Sequence, residues 1–155
     1  MRAGEHERGQ AAAEAAIALQ PDAATQAQAH NVALAAHYYR TQLTPARRHG
    51  EQGLACARAA GDRQIEGLLL NGLAVLASGT DLPRTIGLLE QSVACFRACG
   101  SRWTMSIPLG NLGLYRLELG LLGEAEGSLR EALQLAREAG NVPTQARVHS
   151  ALARV

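Results

Sequence analysis

Apolar residues return along this chain at steps of three and four, the spacing that gathers side chains on one face of an α-helix and not the alternation of a strand. Leu70 and Leu73 recur as Leu109 and Leu112, with Leu152 in the later column and His30 and His149 in the earlier one, so both histidines are expected to be partly buried and structural. A second set follows each of these: Ala125, Leu129 and Ala132 are matched by Thr85, Leu89 and Ser92. Small residues at that spacing let helices approach closely while the leucine fills the space between them. The copy at Ala46, Gly50 and Gly53 has no large residue and is expected to be the least stable pair.

Helix-ending signals followed by helix-starting ones punctuate this pattern at Pro21-Asp22, Gly61-Asp62, Gly100-Ser101 and Gly140-Asn141, spaced by 40, 39 and 40 residues. Glycine takes the left-handed conformation that closes a helix, and Asp, Ser or Asn accepts a hydrogen bond from the free N–H groups that open the next. Arg58, Arg97 and Arg137 each precede their glycine by three residues, where a cation meets the negative end of the helix dipole without any need for a ligand. These breaks predict helices over 8–20, 22–40, 45–60, 62–78, 83–99, 101–119, 123–139 and 142–154. One domain over 1–155 is expected, made of repeats 22–60, 62–99 and 101–139 between half repeats 5–20 and 142–155. The apolar end formed by Val148, Leu152 and Val155 then fits either a piece of a longer array or an end that self-associates.

Composition narrows the fold and the chemistry. Ala and Leu dominate a hydrophobic content of 47% while aromatics make up 3%, which favours close-packed helices over a sheet. A net charge of +1 supplies no field for nucleic acid or an anionic membrane, so neither is an expected partner. All 15 basic residues are Arg, a skew that fits GC-rich codon usage. Three cysteines without an apolar leader fit a reduced cytoplasm.

The best copy of the repeat reads Leu109-x2-Leu112-Gly113-x2-Arg116 followed by Ala125-x3-Leu129, and this resembles the tetratricopeptide repeat, W-x2-L-G-x2-Y then A-x3-F then P. The Leu-Gly and small-residue anchors hold, whereas the Trp, Tyr, Phe and Pro positions do not. With its period near 40 and Gly61-Asp62-Arg63 between units, the chain is similar to the longer variant found in large bacterial transcriptional activators and signalling ATPases. The resemblance implies an all-α, right-handed superhelical solenoid of antiparallel helix pairs. It also implies a concave groove lined by the first helix of each pair. The family's groove positions fall on Gln28, Asn31 and Tyr38, on Leu68, Asn71, Val75 and Ser78, on Ile107, Gly110, Leu114, Leu117 and Glu118, and on Arg147, Ser150 and Arg154.

Such a groove would hold a protein or peptide partner, or a small effector, without catalysis, metal or cofactor. An Asn amide both donates to and accepts from a peptide backbone, so Asn31 and Asn71 could keep an extended segment in register. Asn71 could equally bond within its own helix pair. The lysines of a chaperone-tail clamp are absent. Homodimerisation through the terminal helices is the alternative function.

The remaining polar residues give little chemistry. Cys56 and Cys95 share a register position with Leu135, as small core residues would, although Cys95 and Cys99 one turn apart could also offer two thiolates. His37 and His49 have no periodic partner that would complete a triad or a metal site. Trp103 and Tyr38-Tyr39 suit either helix packing or use as interface anchors.

Overall fold

The computed structural model describes residues 3–19 and 22–155. The helical spacing becomes eight α-helices with no strand among the described residues: α1 (Ala3–Ala18), α2 (Ala23–Tyr39), α3 (Leu43–Ala60), α4 (Arg63–Ala77), α5 (Leu82–Ala98), α6 (Arg102–Glu118), α7 (Leu122–Glu138) and α8 (Val142–Leu152). Their ends fall close to the punctuation, except that α1 starts at Ala3 because Glu5, Glu7 and Arg8 are good helix formers. Pro21 lies outside the described residues. Asp22, the other half of that corner, caps α2 by accepting from the N–H groups of Ala24 and Thr25 at 3.0 and 3.1 Å. No helix among the described residues is long and apolar enough to cross a membrane.

The glycine corners share one construction. Gly61, Gly100 and Gly140 have φ of +68°, +69° and +64°. Each glycine N–H bonds to the carbonyl of its column arginine, and the next residue reaches back to Ala57, Phe96 or Ala136. This double closure satisfies carbonyls that the helix end would leave open. Gly120 repeats it between α6 and α7 at φ +75°, and Thr41 does so between α2 and α3 at φ +60°. The column arginines also reach across to neighbouring helices: Arg58 meets Glu66 at 2.9 Å and Arg97 meets Glu131 at 3.2 Å.

The helices group into two compact units, one ending at Leu76 and the other spanning Ala77–Val155. In the first, Ala27, Leu34, Ala57 and Leu69 form a core against which Leu54, Cys56, Ile65 and Leu76 pack. Gly50 and Gly53 of α3 lie where a Cβ would come within 2.6 Å of Leu73, 2.8 Å of Leu34 and 2.7 Å of His30. The small copy of the repeat is therefore not an underfilled pair. Its missing volume is supplied by Leu34 and Leu73 from the facing helices.

In the second unit the interior is built by Leu89, Phe96, Leu129 and Val148, all fully buried. Here one expectation fails: His149 is exposed and Leu152 only half-buried, while Val148 and Ala151 take the core positions. Helix α8 packs on α6 and α7, so the face turned toward them is chosen and the register moves by one residue.

Candidate functional site

In the first unit, Gly72 of α4 lacks the Cβ that would come within 2.9 Å of Leu34, so α2 and α4 lie close enough to share the floor of a cleft. The cleft measures about 230 Å³, and over that floor stand Asn31, Tyr38 and Tyr39 from α2 with Leu68, Asn71 and Val75 from α4. Five of these, Asn31, Tyr38, Leu68, Asn71 and Val75, are positions that the sequence assigned to a groove. Both Asn residues are half-buried, and Asn71 also takes part in an interaction within the fold. Tyr38 and Tyr39 are 38% and 60% exposed and meet edge to face at 5.6 Å. The cleft thus offers amides between an apolar floor and an aromatic wall, a combination that suits an extended peptide better than a small anion.

The other proposed groove residues stand elsewhere. Gln28 lines a separate shallow recess between α1 and α2 with Gly9, Ala12, Ala13, Ala16 and Val32. Ser78 follows the end of α4 and does not line the cleft. In the second unit Ile107, Leu114 and Leu117 are half-buried along α6, whereas Glu118, Arg147, Ser150 and Arg154 are exposed. Gly110 is buried against α8, where a Cβ would come within 3.2 Å of Val148 and 3.7 Å of the Arg147 Nη2. Although Arg147 as a whole is exposed, partial burial of its guanidinium pushes it below the ordinary arginine value, opposed by Tyr115.

Two polar clusters escaped the sequence reading. Arg116, at the family's Tyr position, is mostly buried under a cleft between α5 and α7 of about 430 Å³ whose floor includes Val93, Leu109 and Leu112. It donates to Ser128 at 2.7 Å and Glu90 at 2.8 Å and lies 3.3 Å from Glu124, so its charge is already matched by carboxylates.

The second cluster gathers His30, His37 and His49, all buried. Nδ1 of His30 and Nδ1 of His49 share a hydrogen bond at 3.0 Å, and the rings of His37 and His49 stack at 5.2 Å with 10° between their planes. Stacked rings hold their lone pairs parallel. Among the described residues no three or more His, Cys, Asp and Glu side chains are arranged to hold a metal ion. The signal available in the sequence was the seven-residue separation of His30 and His37, two turns along one helical face.

The cysteines and the lone tryptophan complete the inventory. Cys95 is buried, Cys56 half-buried with its thiol donating to Gln26 at 3.4 Å, and Cys99 exposed. Trp103 is 67% exposed and so does not pack into the start of α6. Compared with protein-family models and with curated proteins, the chain matches none.

Proposed function

We propose that this chain is a tetratricopeptide-like binding module whose helix pairs stack into a right-handed solenoid and hold a partner without chemistry. The observation that carries the reading is the α2–α4 cleft, where Asn31 and Asn71, one repeat apart, flank an apolar floor beside Tyr38. The occupant we assign is an extended peptide segment, its backbone met by the two amides and its apolar side chains by Leu34, Leu68 and Val75. The wider reading, taken from the repeat resemblance, is a module of a bacterial transcriptional or signalling regulator.

A displayed library of random linear peptides, selected against the full chain, tests this. Selected peptides should lose at least tenfold in affinity on Asn71→Arg and on Tyr38→Ala, with helical circular dichroism unchanged. Peptides that bind both variants as tightly as the parent would place the binding surface elsewhere.

Self-association is the second reading, favoured by the recess between α1 and α2, where Gly9, Ala12, Ala13, Ala16, Ala29 and Val32 stand with Thr25 and Gln28, and by Leu19 after the end of α1 at 83% exposure. Sedimentation over a wide concentration range decides it, a strict monomer counting against.

A further inference from the structure

The buried histidines of the first unit do not line the cleft, and of the three only His30 falls on a repeat column, yet they are placed with evident constraint. His30 and His37 come from α2 and His49 from α3. With His30 and His49 both neutral, their 3.0 Å Nδ1–Nδ1 contact needs one ring to donate and the other to accept. With both protonated, two donors face each other and the bond is lost. His37 places its Nδ1 2.7 Å from the Gln42 Oε1, which fixes the proton there and leaves Nε2 as a buried lone pair without a hydrogen-bond partner. That Nε2 looks toward the Glu14 carboxylate of α1 at 3.7 Å.

The charged and titratable groups around the cluster come from three of the helices packed there, α1, α2 and α3. Helix α1 contributes Glu14, which is half exposed, α2 contributes His30 and His37, and α3 contributes His49 and Arg48. From α4 the neighbours at this seam are Leu69 and Leu73. One carboxylate therefore faces three imidazoles and a guanidinium. Charging neighbouring rings would put like charges about 5 Å apart in a buried site.

We propose that His30, His37 and His49 form an acid-operated latch, closing α1 and α3 onto α2 at neutral pH and releasing them when the bonded His30–His49 pair takes up protons. Burial, reinforced by His30, His37 and Arg48 and opposed by Glu14, pushes His49 down to about 4, and burial with Arg48 lowers His30 as well. A histidine depressed in the folded state contributes stability that is complete above its unfolded value near 6.5 and is lost as pH falls toward 4. The opened segment takes protons that the closed one refuses.

Amide hydrogen exchange on the full chain, corrected for intrinsic rates, tests the latch at pH 7 and pH 5. Protection in α2 and α3 should fall by about twentyfold, while α6 and α7 keep theirs. A parallel change in all four helices, or none in α2 and α3, overturns the proposal. His49→Phe retains a ring to stack on His37 and cannot titrate, so it should remove most of the pH response. A full response in that variant also overturns it. Should His49→Phe fail to fold at pH 7, Glu14→Gln decides: losing the one facing carboxylate should raise the pH of opening by a few tenths of a unit, and an unchanged or lower pH rejects the latch.

Discussion

Helices α2 and α3 and helices α6 and α7 make the same contact with the large and small residues exchanged. In the first pair Leu34 of α2 enters the space left by Gly50 of α3, and in the second Leu129 of α7 enters the space left by Gly113 of α6. Leu34 and Gly113 occupy one register position two repeats apart, and so do Gly50 and Leu129. A knob on either side fills the interface equally well, provided the other side offers the hole. Scanned one helix at a time, the Gly50 copy looks deficient, and only the facing helix shows that the volume has changed sides.

The largest expected effect breaks this contact outright. Gly113→Leu drives a side chain into Leu129, whose Cγ already lies 2.5 Å from the position of a Cβ, with the Ala125 carbonyl at 3.2 Å behind it. Overpacking a seam of this kind costs about 3 kcal/mol, read as a fall in the urea unfolding free energy. A loss below about 1 kcal/mol would mean that α6 and α7 can slide apart, and that tight apposition is not what defines the pair.

The exchange itself is tested by transplanting one arrangement onto the other. Leu34→Ala should cost about 2–4 kcal/mol and Gly50→Leu about 2 kcal/mol, whereas the double variant should lose about 1–2 kcal/mol less than their sum. Leu73, also at the Gly50 site, keeps the rescue incomplete. Strict additivity in the double-mutant cycle would show the two residues to be independent.

Where sequence and structure part company, the cause is tertiary in each case. Helix ends were legible because Gly61, Gly100 and Gly140 carry their own conformational signal, and the inner columns because Leu70, Leu73, Leu109 and Leu112 are enclosed on all sides. The α8 register was not, since contact with α6 and α7 selects Val148 over His149. The α6 stretch of the pattern even survives a breaker within it: α6 runs through the buried Pro108, which removes one backbone donor without ending the helix. At the cleft, Asn31 and Asn71 were legible through the repeat and Tyr39 only as an aromatic suited to packing or to anchoring, while Gly72 was not, because its part depends on how closely α2 and α4 approach. The histidine cluster needed α3 folded back on α2 before His49 could meet His30.

A smaller effect separates the two units by charge. Glu66 in α4 is almost fully buried and held by Arg58 at 2.9 Å and Arg63 at 2.8 Å, whereas the ion pairs of α5–α7 engage carboxylates that are largely exposed. Burial pushes the Glu66 carboxyl up, but the hydrogen bonds and charges of Arg58 and Arg63 outweigh it and leave the group below the ordinary glutamate value. A carboxyl lowered on folding contributes stability above its unfolded value near 4.5, and that contribution drains away as pH falls further. Glu66→Gln should cost about 1–2 kcal/mol at pH 7 and progressively less below pH 4. Glu131→Gln, at a half-exposed pair, should cost no more than about 0.5 kcal/mol. Equal losses would erase the distinction.

The smallest effect concerns the turn that closes α2, and its sign is opposite. Four corners place glycine in the left-handed region, while the α2–α3 corner makes the same backbone bonds with Thr41 at φ +60°. A β-branched residue there crowds its own carbonyl, a strain of about 1–2 kcal/mol, partly offset by the bond from its hydroxyl to the Arg40 carbonyl at 2.6 Å. Glycine in its place removes the crowding, loses that bond and frees the unfolded chain. The balance favours Thr41→Gly by about 0.5–1 kcal/mol, measured as a rise in the urea midpoint. Gly120→Ala, forcing a Cβ into the equivalent corner of α6–α7, should lose about 1 kcal/mol. If Thr41→Gly instead destabilises the chain, the hydroxyl outweighs the backbone strain, and the first unit closes its helix pair by a side-chain bond where the second relies on glycine.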